Sequence, residues 1–382
     1  MAIAAGICVA NIYYNQPILK NIAATFNVNE GRIGIVAVLT QAGYGLGLFF
    51  LTPLGDKINR KTLILALQGL LVVVLLSMYF ISNLYAIYAA SLLIGLLAVS
   101  AQVILPMAAS LSKTNKGRTV GIIFTGILIG ILMARVFSGF VSQWLGWQSV
   151  YSISAVLVLL AALLIYFSLP GVKHGFSGSY LQLLQSTLFQ LKRFALLRHT
   201  ALLGAIIFGI FSSFWTTLTF HLSGPPFYYS ADTIGLFGIL AVGGALLAPF
   251  FGKLADKGNV SGFQLITVSM IISGIILIKI FPDNISSFII AVLLLDVGVQ
   301  ATQVTNLATI YTLDDTASSR INTVYMTTYF LGGAAGTYAG VQCWRIGGWQ
   351  MVTWQMIAWG VLALIVVLNG YMRHRKTSLK IT

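Results

Sequence analysis

One carboxyl side chain lies near the centre of a long apolar stretch. Asp296 is the only acidic or basic residue between positions 285 and 310. Three amides, Gln300, Gln303 and Asn306, follow it at spacings of four, three and three residues, which places all four side chains on one face of a helix. Apolar surroundings disfavour the charged form of a carboxyl, so such a group can take up and release a proton. The pattern predicts either a proton-carrying group or a polar contact between helices.

An arginine stands in a second apolar stretch. Arg135 lies within GILIGILMARVFSG, residues 126–139. An ionisable side chain inside a bilayer costs roughly 2.5–3.5 kcal/mol, so its position requires a reason. Arg135 is predicted to bind an anionic ligand or to pair with a carboxylate, for which Asp296 is the candidate. Its long side chain could instead reach the lipid headgroups, and the residue types alone leave these alternatives open.

Other amide and aromatic side chains within apolar stretches are candidate ligand contacts. Besides the amides that follow Asp296, they are Asn15, Gln16, Gln41, Tyr44, Gln102, Trp215, Tyr325 and Tyr329. The last two are expected to stack one helical turn apart. A mixture of aromatic and amide groups suits a small amphipathic organic molecule, although each residue alone could equally fill a contact between helices.

The composition determines where these residues must sit. Of the 382 residues, 58% are hydrophobic and only 8% are charged, whereas a soluble domain has roughly 25% charged residues. The apolar residues come in runs of about 20, which is the length of a membrane-spanning helix, and not in the short alternating segments of a barrel. The two cysteines, Cys8 and Cys343, stand in apolar context, so neither a disulfide framework nor a metal site is expected.

Twelve apolar segments are predicted to span a membrane. They lie at 1–20, 32–52, 62–81, 84–110, 119–139, 148–169, 200–222, 233–252, 262–281, 285–310, 320–342 and 349–371. The net charge of +14 comes from basic residues in the loops between these segments. Most of these loops would share one side, and the positive-inside rule then places both termini in the cytoplasm. This distribution argues against nucleic-acid binding as the reason for the charge.

The longest connection separates two halves of the chain. Residues 170–199 form a predicted cytoplasmic linker between the segments 1–169 and 200–372, and a tail follows at 373–382. Within the linker, LQLLQSTLFQLKRF has apolar residues at helical spacing and a basic end. It is predicted to be an amphipathic helix on the membrane surface.

The two halves repeat each other at an offset of about 200 residues. Asp56 corresponds to Asp256, and Arg118 corresponds to Arg320. Four matches in register indicate parallel six-helix repeats, with substrate bound near the bilayer midplane. The matched segments are LGDK at 54–57 and LADK at 254–257, AQV at 101–103 and TQV at 302–304, and GWQSV at 146–150 and GWQMV at 348–352.

The loop after the second span resembles the G-x-L-A-D-R-x-G-R-K motif of the major facilitator superfamily. It reads TPLGDKINRK at 52–61, and the second copy reads GKLADK at 252–257. Asn59 replaces a glycine of the motif and is expected to supply a positive φ. The resemblance covers the whole chain. It implies an all-α membrane protein with twelve transmembrane helices in two pseudo-symmetric six-helix bundles, in which helices 1, 4, 7 and 10 line the cavity.

By the same resemblance, this loop acts as a cytoplasmic gate. Asp56 would meet the start of the eleventh helix and Asp256 the start of the fifth, where exposed N–H groups and the helix dipole attract a carboxylate. Otherwise these residues are loop charges that only set the topology. The predicted gate residues are Asp56, Arg60, Lys61, Asp256 and Lys257.

The fifth span resembles the glycine-rich motif of family antiporters, G-x8-G-x3-G-P-x2-G-G. Gly117, Gly126 and Gly130 match, whereas Ile131 replaces the proline and Ala134-Arg135 replace the glycine pair. Small residues here permit close helix packing. The fourth-helix arginine of many family drug exporters is missing, because Ser91 stands four residues before Gly95.

The resemblance favours the twelve-helix drug:proton antiporter branch, whose first helix reads like ANIYYNQP. It implies a bacterial inner-membrane efflux pump working by alternating access, as a monomer, with protons and a small organic substrate as partners. A proton-coupled importer or facilitator of a small anionic metabolite is the first alternative. A non-transporting receptor on the same fold is the second. No phosphate-binding GxxxxGK[ST] loop, nucleophile–base set or cofactor motif is found, so an enzyme is not expected.

Overall fold

The computed structural model describes residues 1–111, 116–171, 178–240, 260–314 and 317–378. Every regular element within these ranges is helical, which confirms the predicted all-α class. The chain folds as two compact units. One comprises Met1–Ser186 and Leu222–Ile239, and the other comprises Thr187–His221 and the described residues from Leu240 onward.

The helices are numbered along the chain. The first part contains α1 (Ala2–Ala10), α2 (Asn15–Phe26), α3 (Glu30–Ile33), α4 (Ile35–Phe50), α5 (Arg60–Ser77), α6 (Leu84–Leu97), α7 (Ser100–Leu111), α8 (Lys116–Leu145) and α9 (Trp147–Ser168), with a 3₁₀ helix at Thr52–Asp56. The remainder contains α10 (Tyr180–Arg193), α11 (Ala195–Leu222), α12 (Ala231–Leu240), α13 (Val260–Ile280), α14 (Ile285–Tyr311) and α15 (Ser318–Ser378).

Nine helical stretches in the described ranges are long and apolar enough to cross a membrane. The last of them contains two spans, because Gly347 and Gly348 leave the helical conformation within α15. Together with the α1–α2 pair and the short α12, these stretches are consistent with twelve spans. Two spans were predicted too short at their C-terminal ends, because the helix of the first span continues to Phe26 and that of the fifth to Leu145.

The first span is distorted between α1 and α2. The backbone N–H groups of Ile12, Tyr13 and Gln16 donate to the carbonyl oxygen three residues earlier, at 2.9–3.2 Å, instead of four. Pro17 explains the position of this distortion, because it has no N–H and its ring clashes with the carbonyl of Tyr13, four residues earlier. A stretch of such three-residue hydrogen bonds inside a helix often marks a functional hinge or a strained sequence.

Glycines bring α1 and α8 together along their backbones. A Cβ added to Gly6 would lie 2.5 Å from the carbonyl oxygen of Gly126, and one added to Gly130 would collide with Gly6. The prediction that small residues of the fifth span permit close packing is confirmed. The same arrangement recurs in the second unit, where Gly336 of α15 lies against Gly209 of α11.

The repeated GWQ segments share two structural features. Gly146 and Gly348 have φ values of +83° and +58°, a region that favours glycine. The indole N–H of Trp147 donates to Thr25 Oγ1 at 2.9 Å, and that of Trp349 donates to the carbonyl of Ile278 at 3.2 Å. These segments therefore turn the chain between two spans and anchor the turn to a neighbouring helix.

Each unit contains a polar pair that links two of its helices, and the two pairs occupy corresponding helices of the repeat. Ser154 of α9 donates to Asn11 Oδ1 at 2.8 Å, and Ser213 of α11 donates to Gln355 Oε1, also at 2.8 Å. The first pair joins the first and sixth spans, and the second joins the seventh and twelfth. The internal repeat of the sequence thus extends to contacts that the matched segments do not contain.

Gly130→Ala is expected to destabilise the protein, because overpacking a close helix contact costs about 1–3 kcal/mol. Gly121→Ala, on the same helix, is the matched control, since a Cβ there would meet nothing within 4 Å. Thermal unfolding of the purified protein in detergent compares the two. Equal midpoints for the two variants would contradict the assigned α1–α8 contact.

Candidate functional site

Arg135 is held inside the first unit by an amide and an aromatic ring. Its side chain is only 1% exposed. Nε donates to Gln16 Oε1 at 2.8 Å, and the guanidinium lies 5.2 Å from the ring centroid of Tyr13. Both partners stand at the distorted turn before Pro17. Arg135 therefore lies in the packed interior of the unit. Its contacts with Gln16 and Tyr13 do not support the alternative in which its side chain reaches the lipid headgroups.

Glycines of α12 explain how a helix can pack directly on this arginine. A Cβ at Gly235 would lie 2.6 Å from the carbonyl oxygen of Arg135, and one at Gly238 would lie 3.1 Å from its Cβ. Gly139, one turn further along α8, is in similarly close contact with Ala231. Gly235 and Gly238 were not among the predicted site residues, although their spacing is visible in the sequence.

Two amides beside the distorted turn have a buried acceptor oxygen that binds no described residue. Asn15 Nδ2 donates to Thr40 Oγ1 at 3.1 Å, and Gln41 follows Thr40 on α4. Both amides are 2% exposed. Asn15 Oδ1 and Gln41 Oε1 are buried, and neither has a hydrogen-bond partner in the described part of the chain. Because leaving a buried acceptor unpaired costs about 1–3 kcal/mol, these oxygens suit a ligand with N–H or O–H groups.

Tyr44 and Gln102 are also brought together in this unit. Gln102 Nε2 donates to the Tyr44 hydroxyl at 3.2 Å. Tyr44 is fully buried, whereas Gln102 is half-buried. The pair connects α4 to α7, so these two predicted ligand contacts already bind each other.

Asp296 and the amides that follow it share one face of α14 in the second unit. Asp296 is 2% exposed and lies within a continuous helix of 27 residues. Gln300 and Gln303 are half-buried, whereas Asn306 is completely buried. The helical register predicted from their spacing is confirmed.

Asn306 connects four helices. Gln264 of α13 donates to its Oδ1 at 2.8 Å. Its Nδ2 donates to the carbonyl of Thr200 on α11 and to the hydroxyl of Tyr325 on α15, both at 3.3 Å. These contacts give both ends of the amide a role in packing, and a contact with substrate stays a prediction. Gln264 was missed in the sequence because nothing in its own segment distinguishes it.

The aromatic candidates of the second unit lie in one cluster. Tyr329 stacks on Phe208 with centroids 4.1 Å apart and planes 17° apart. Its ring is 6.0 Å from that of Tyr325 and tilted by 34°, so the expected stacking of the two tyrosines was wrong. Phe208, on the neighbouring helix α11, is the residue that presents a parallel face to Tyr329. Trp215 packs edge-on against Phe211 and Phe214.

The gate residues of the first unit contact one another and the end of α9. Arg60 pairs with Asp56 at 3.0 Å and donates from Nε to the carbonyl of Gly55 at 3.1 Å. Lys61 donates to the carbonyl of Tyr166 at 2.7 Å. The expectation for Asn59 was wrong: its φ is −59°, and it caps α5 by accepting from the Lys61 N–H. An N-cap position favours a short side chain with an acceptor oxygen. Helix capping therefore explains the asparagine at position 59, and a positive φ is not needed.

The second copy of the gate, with Asp256 and Lys257, lies outside the described residues. Within the described ranges, no group of three or more His, Cys, Asp or Glu side chains could hold a metal ion.

Comparison with known proteins identifies the family. A model described as Major Facilitator Superfamily matches residues 1–337. The putative uncharacterized transporter YgaY of Escherichia coli (strain K12) is 36% identical over 374 residues, which cover 98% of this chain and 95% of that protein. The chain belongs to the Major Facilitator Superfamily. It is therefore a multi-pass membrane transporter of a small molecule and not an enzyme.

Solved structures with a similar fold agree with this assignment. The chain is similar to the nucleoside transporter NupG, with a TM-score of 0.74 and 13% identity, over 96% of this chain and 99% of that one. A bacterial homologue of the human lysosomal transporter Spinster gives a TM-score of 0.76 at 12% identity, over 98% and 95%. At such identities the likeness concerns the superfamily fold alone.

Replacing Asn306 is expected to destabilise this superfamily member. Asn306→Ala leaves Gln264 and Tyr325 without a buried partner, at a cost of about 1–3 kcal/mol. Gln303→Ala, one turn away on the same face, removes no hydrogen bond to a described residue and should change stability by less than about 0.5 kcal/mol. Thermal unfolding in detergent measures both. A packing role for Asn306 is excluded if the two variants unfold at the wild-type temperature.

Proposed function

We propose that this transporter exports small amphipathic organic compounds in exchange for protons across the bacterial inner membrane. The observation that carries the proposal is Asp296, a carboxyl buried in the middle of a spanning helix. A carboxyl in that position is stable only when neutral or when its charge is compensated. Its charge can therefore be linked to the state of the binding site, as exchange requires.

The electrical gradient is sufficient for such exchange. One charge that crosses about 100 mV releases roughly 2.3 kcal/mol, which corresponds to a concentration ratio of about fiftyfold. Protonation of Asp296 would remove a buried charge, and substrate binding would favour proton release. Alternation between these two occupancies is the minimal cycle for an antiporter.

The side chains of the first unit support a substrate of this chemistry. Asn15 and Gln41 have buried acceptor oxygens, and Tyr13 and Tyr44 are buried aromatic side chains of the same unit. A compound with an apolar ring system and one or two donor groups fits this combination. In this scheme Arg135 positions Gln16, whose oxygen it already binds. We further propose that both termini are cytoplasmic, that the protein is a monomer and that the Asp56–Arg60 pair belongs to the cytoplasmic gate.

Arg135 favours a second candidate function, the proton-coupled uptake of a small anionic metabolite. Arg135 is only 1% exposed, and a guanidinium is well suited to bind a carboxylate or phosphate inside a protein. In this alternative, the substrate would pair with Arg135 and protons would move in the same direction as the substrate.

Asp296→Asn tests proton exchange. Purified protein in liposomes with an internal pH dye is given fluorescent cationic and anionic compounds under an imposed proton gradient. The variant should lose gradient-driven accumulation but retain exchange of labelled for unlabelled compound, because the neutral amide mimics the protonated acid permanently. Asp283→Asn is the control, since Asp283 lies exposed in the preceding loop. Accumulation by Asp296→Asn at the wild-type level would refute the assignment.

Arg135→Gln separates the two candidate functions. If the substrate is an anion bound by the guanidinium, the variant should raise the KM for anions by about tenfold to a hundredfold, the loss of a charge-assisted contact of about 1.5–3 kcal/mol. Arg118→Gln removes an exposed arginine from the same helix and should leave KM unchanged. Proton movement with the substrate would support uptake, and proton movement against it would support export.

A further inference from the structure

The linker helix α10 has apolar side chains on two faces. Leu183, Leu184 and Thr187 are buried, as in an ordinary packed helix. On the other side, Leu181, Leu188 and Phe189 are 64%, 50% and 57% exposed. Three large apolar side chains on one outward face of a 14-residue helix require an apolar environment there.

The ends of α10 place it at the level of the membrane surface. At its N-terminal end, the Tyr180 hydroxyl donates to the carbonyl of Phe50, the last residue of the spanning helix α4. At its C-terminal end, only Phe194 separates Arg193 from α11, a spanning helix that begins at Ala195. Both ends therefore lie where spanning helices meet the headgroup layer, and the exposed apolar face has lipid within reach.

Two basic side chains stand at the C-terminal end of the same face. Lys192 lies four residues after Leu188, and Arg193 four residues after Phe189, so each follows an exposed apolar residue by one helical turn. Arg198 has a different role, because its guanidinium donates to the carbonyl oxygens of Leu191 and Lys192, at 2.6 and 3.0 Å. It caps the helix, which leaves Lys192 and Arg193 as the charges that face outward.

Arg193 has a competing partner. It donates to Asp314 Oδ2 at 2.7 Å, and its side chain remains 46% exposed. Asp314 follows α14, the helix that carries Asp296. An exposed ion pair of this kind contributes little, and the attraction of one basic residue to an anionic leaflet is of similar size. A lipid phosphate can therefore replace Asp314 as the partner of Arg193.

We propose that the outward face of α10 binds anionic phospholipid. Lys192 and Arg193 hold the headgroup phosphate, and Leu181, Leu188 and Phe189 enter the boundary of the acyl chains. Binding takes Arg193 away from Asp314. The proposal does not depend on the direction of transport, and its test uses lipid binding alone.

A probe on α10 reads this binding locally. The full-length protein carries bimane at Gln185→Cys, on the exposed face, in a Cys343→Ser background, because Cys8 is buried. Purified protein in detergent is titrated with phosphatidylglycerol and, separately, with phosphatidylcholine. The expected result is a blue shift of the emission that saturates with phosphatidylglycerol at a concentration at least about fivefold below that for phosphatidylcholine.

Charge variants decide the outcome. Lys192→Gln with Arg193→Gln should weaken phosphatidylglycerol binding by about tenfold or more, at roughly fivefold for each charge removed. The control, Lys57→Gln with Arg118→Gln, removes one exposed lysine and one exposed arginine elsewhere and should bind as the wild type does. Asp314→Asn should strengthen binding, because it removes the competitor for Arg193.

Two results would overturn the proposal. One is equal midpoints for phosphatidylglycerol in the wild type and in the Lys192→Gln, Arg193→Gln variant. The other is unchanged or weaker binding in Asp314→Asn, which keeps every basic residue and so remains informative even if the double variant fails to fold.

Discussion

A polar group without a partner is costly in hydrocarbon, and this constraint governs the protein at every level. It forces the backbone into helices, because only there does each N–H group find a carbonyl within its own segment. It also favours polar side chains that find a hydrogen-bond partner within the protein, either on their own helix, as Thr305 does, or on another helix, as Gln264 does. Asn306, which joins α14 to three neighbouring helices, shows how one amide meets this demand and positions four helices at once.

Places where polar groups within the spans lack a regular partner are candidate functional sites. The turn before Pro17 loses regular helical hydrogen bonds, and the polar residues Asn15 and Gln16 gather around it. The side-chain oxygen of Gln16 accepts a hydrogen bond from Arg135. By contrast, the side-chain oxygens of Asn15 and Gln41 are buried and accept no hydrogen bond from the described residues. A distortion surrounded by such groups is where a transporter can offer hydrogen bonds to its cargo instead of to itself.

The sequence predicted what depends on composition and local chemistry. The spans and the amphipathic linker helix follow from hydrophobic length and helical spacing. Contacts between distant segments were harder to predict. The pairing of Gln264 with Asn306 and the stacking of Tyr329 on Phe208 depend on which helices become neighbours, and no local pattern encodes that. Asn59 was misinterpreted because an asparagine can replace glycine for two physical reasons, positive φ and helix capping.

The two halves share a scaffold and differ in chemistry. Glycine pairs join α1 to α8 and α11 to α15, and buried tryptophans anchor both GWQ turns, so these features serve the fold. In the register set by AQV and TQV, Asp296 corresponds to Gly95, where a Cβ would collide with the backbone of α4. A carboxyl therefore cannot replace Gly95 without separating α6 from α4, whereas α14 accommodates one. The repeat explains the helices, and the position at which it fails carries the ionisable group, so a mechanism for this transporter must begin from the asymmetry between its halves.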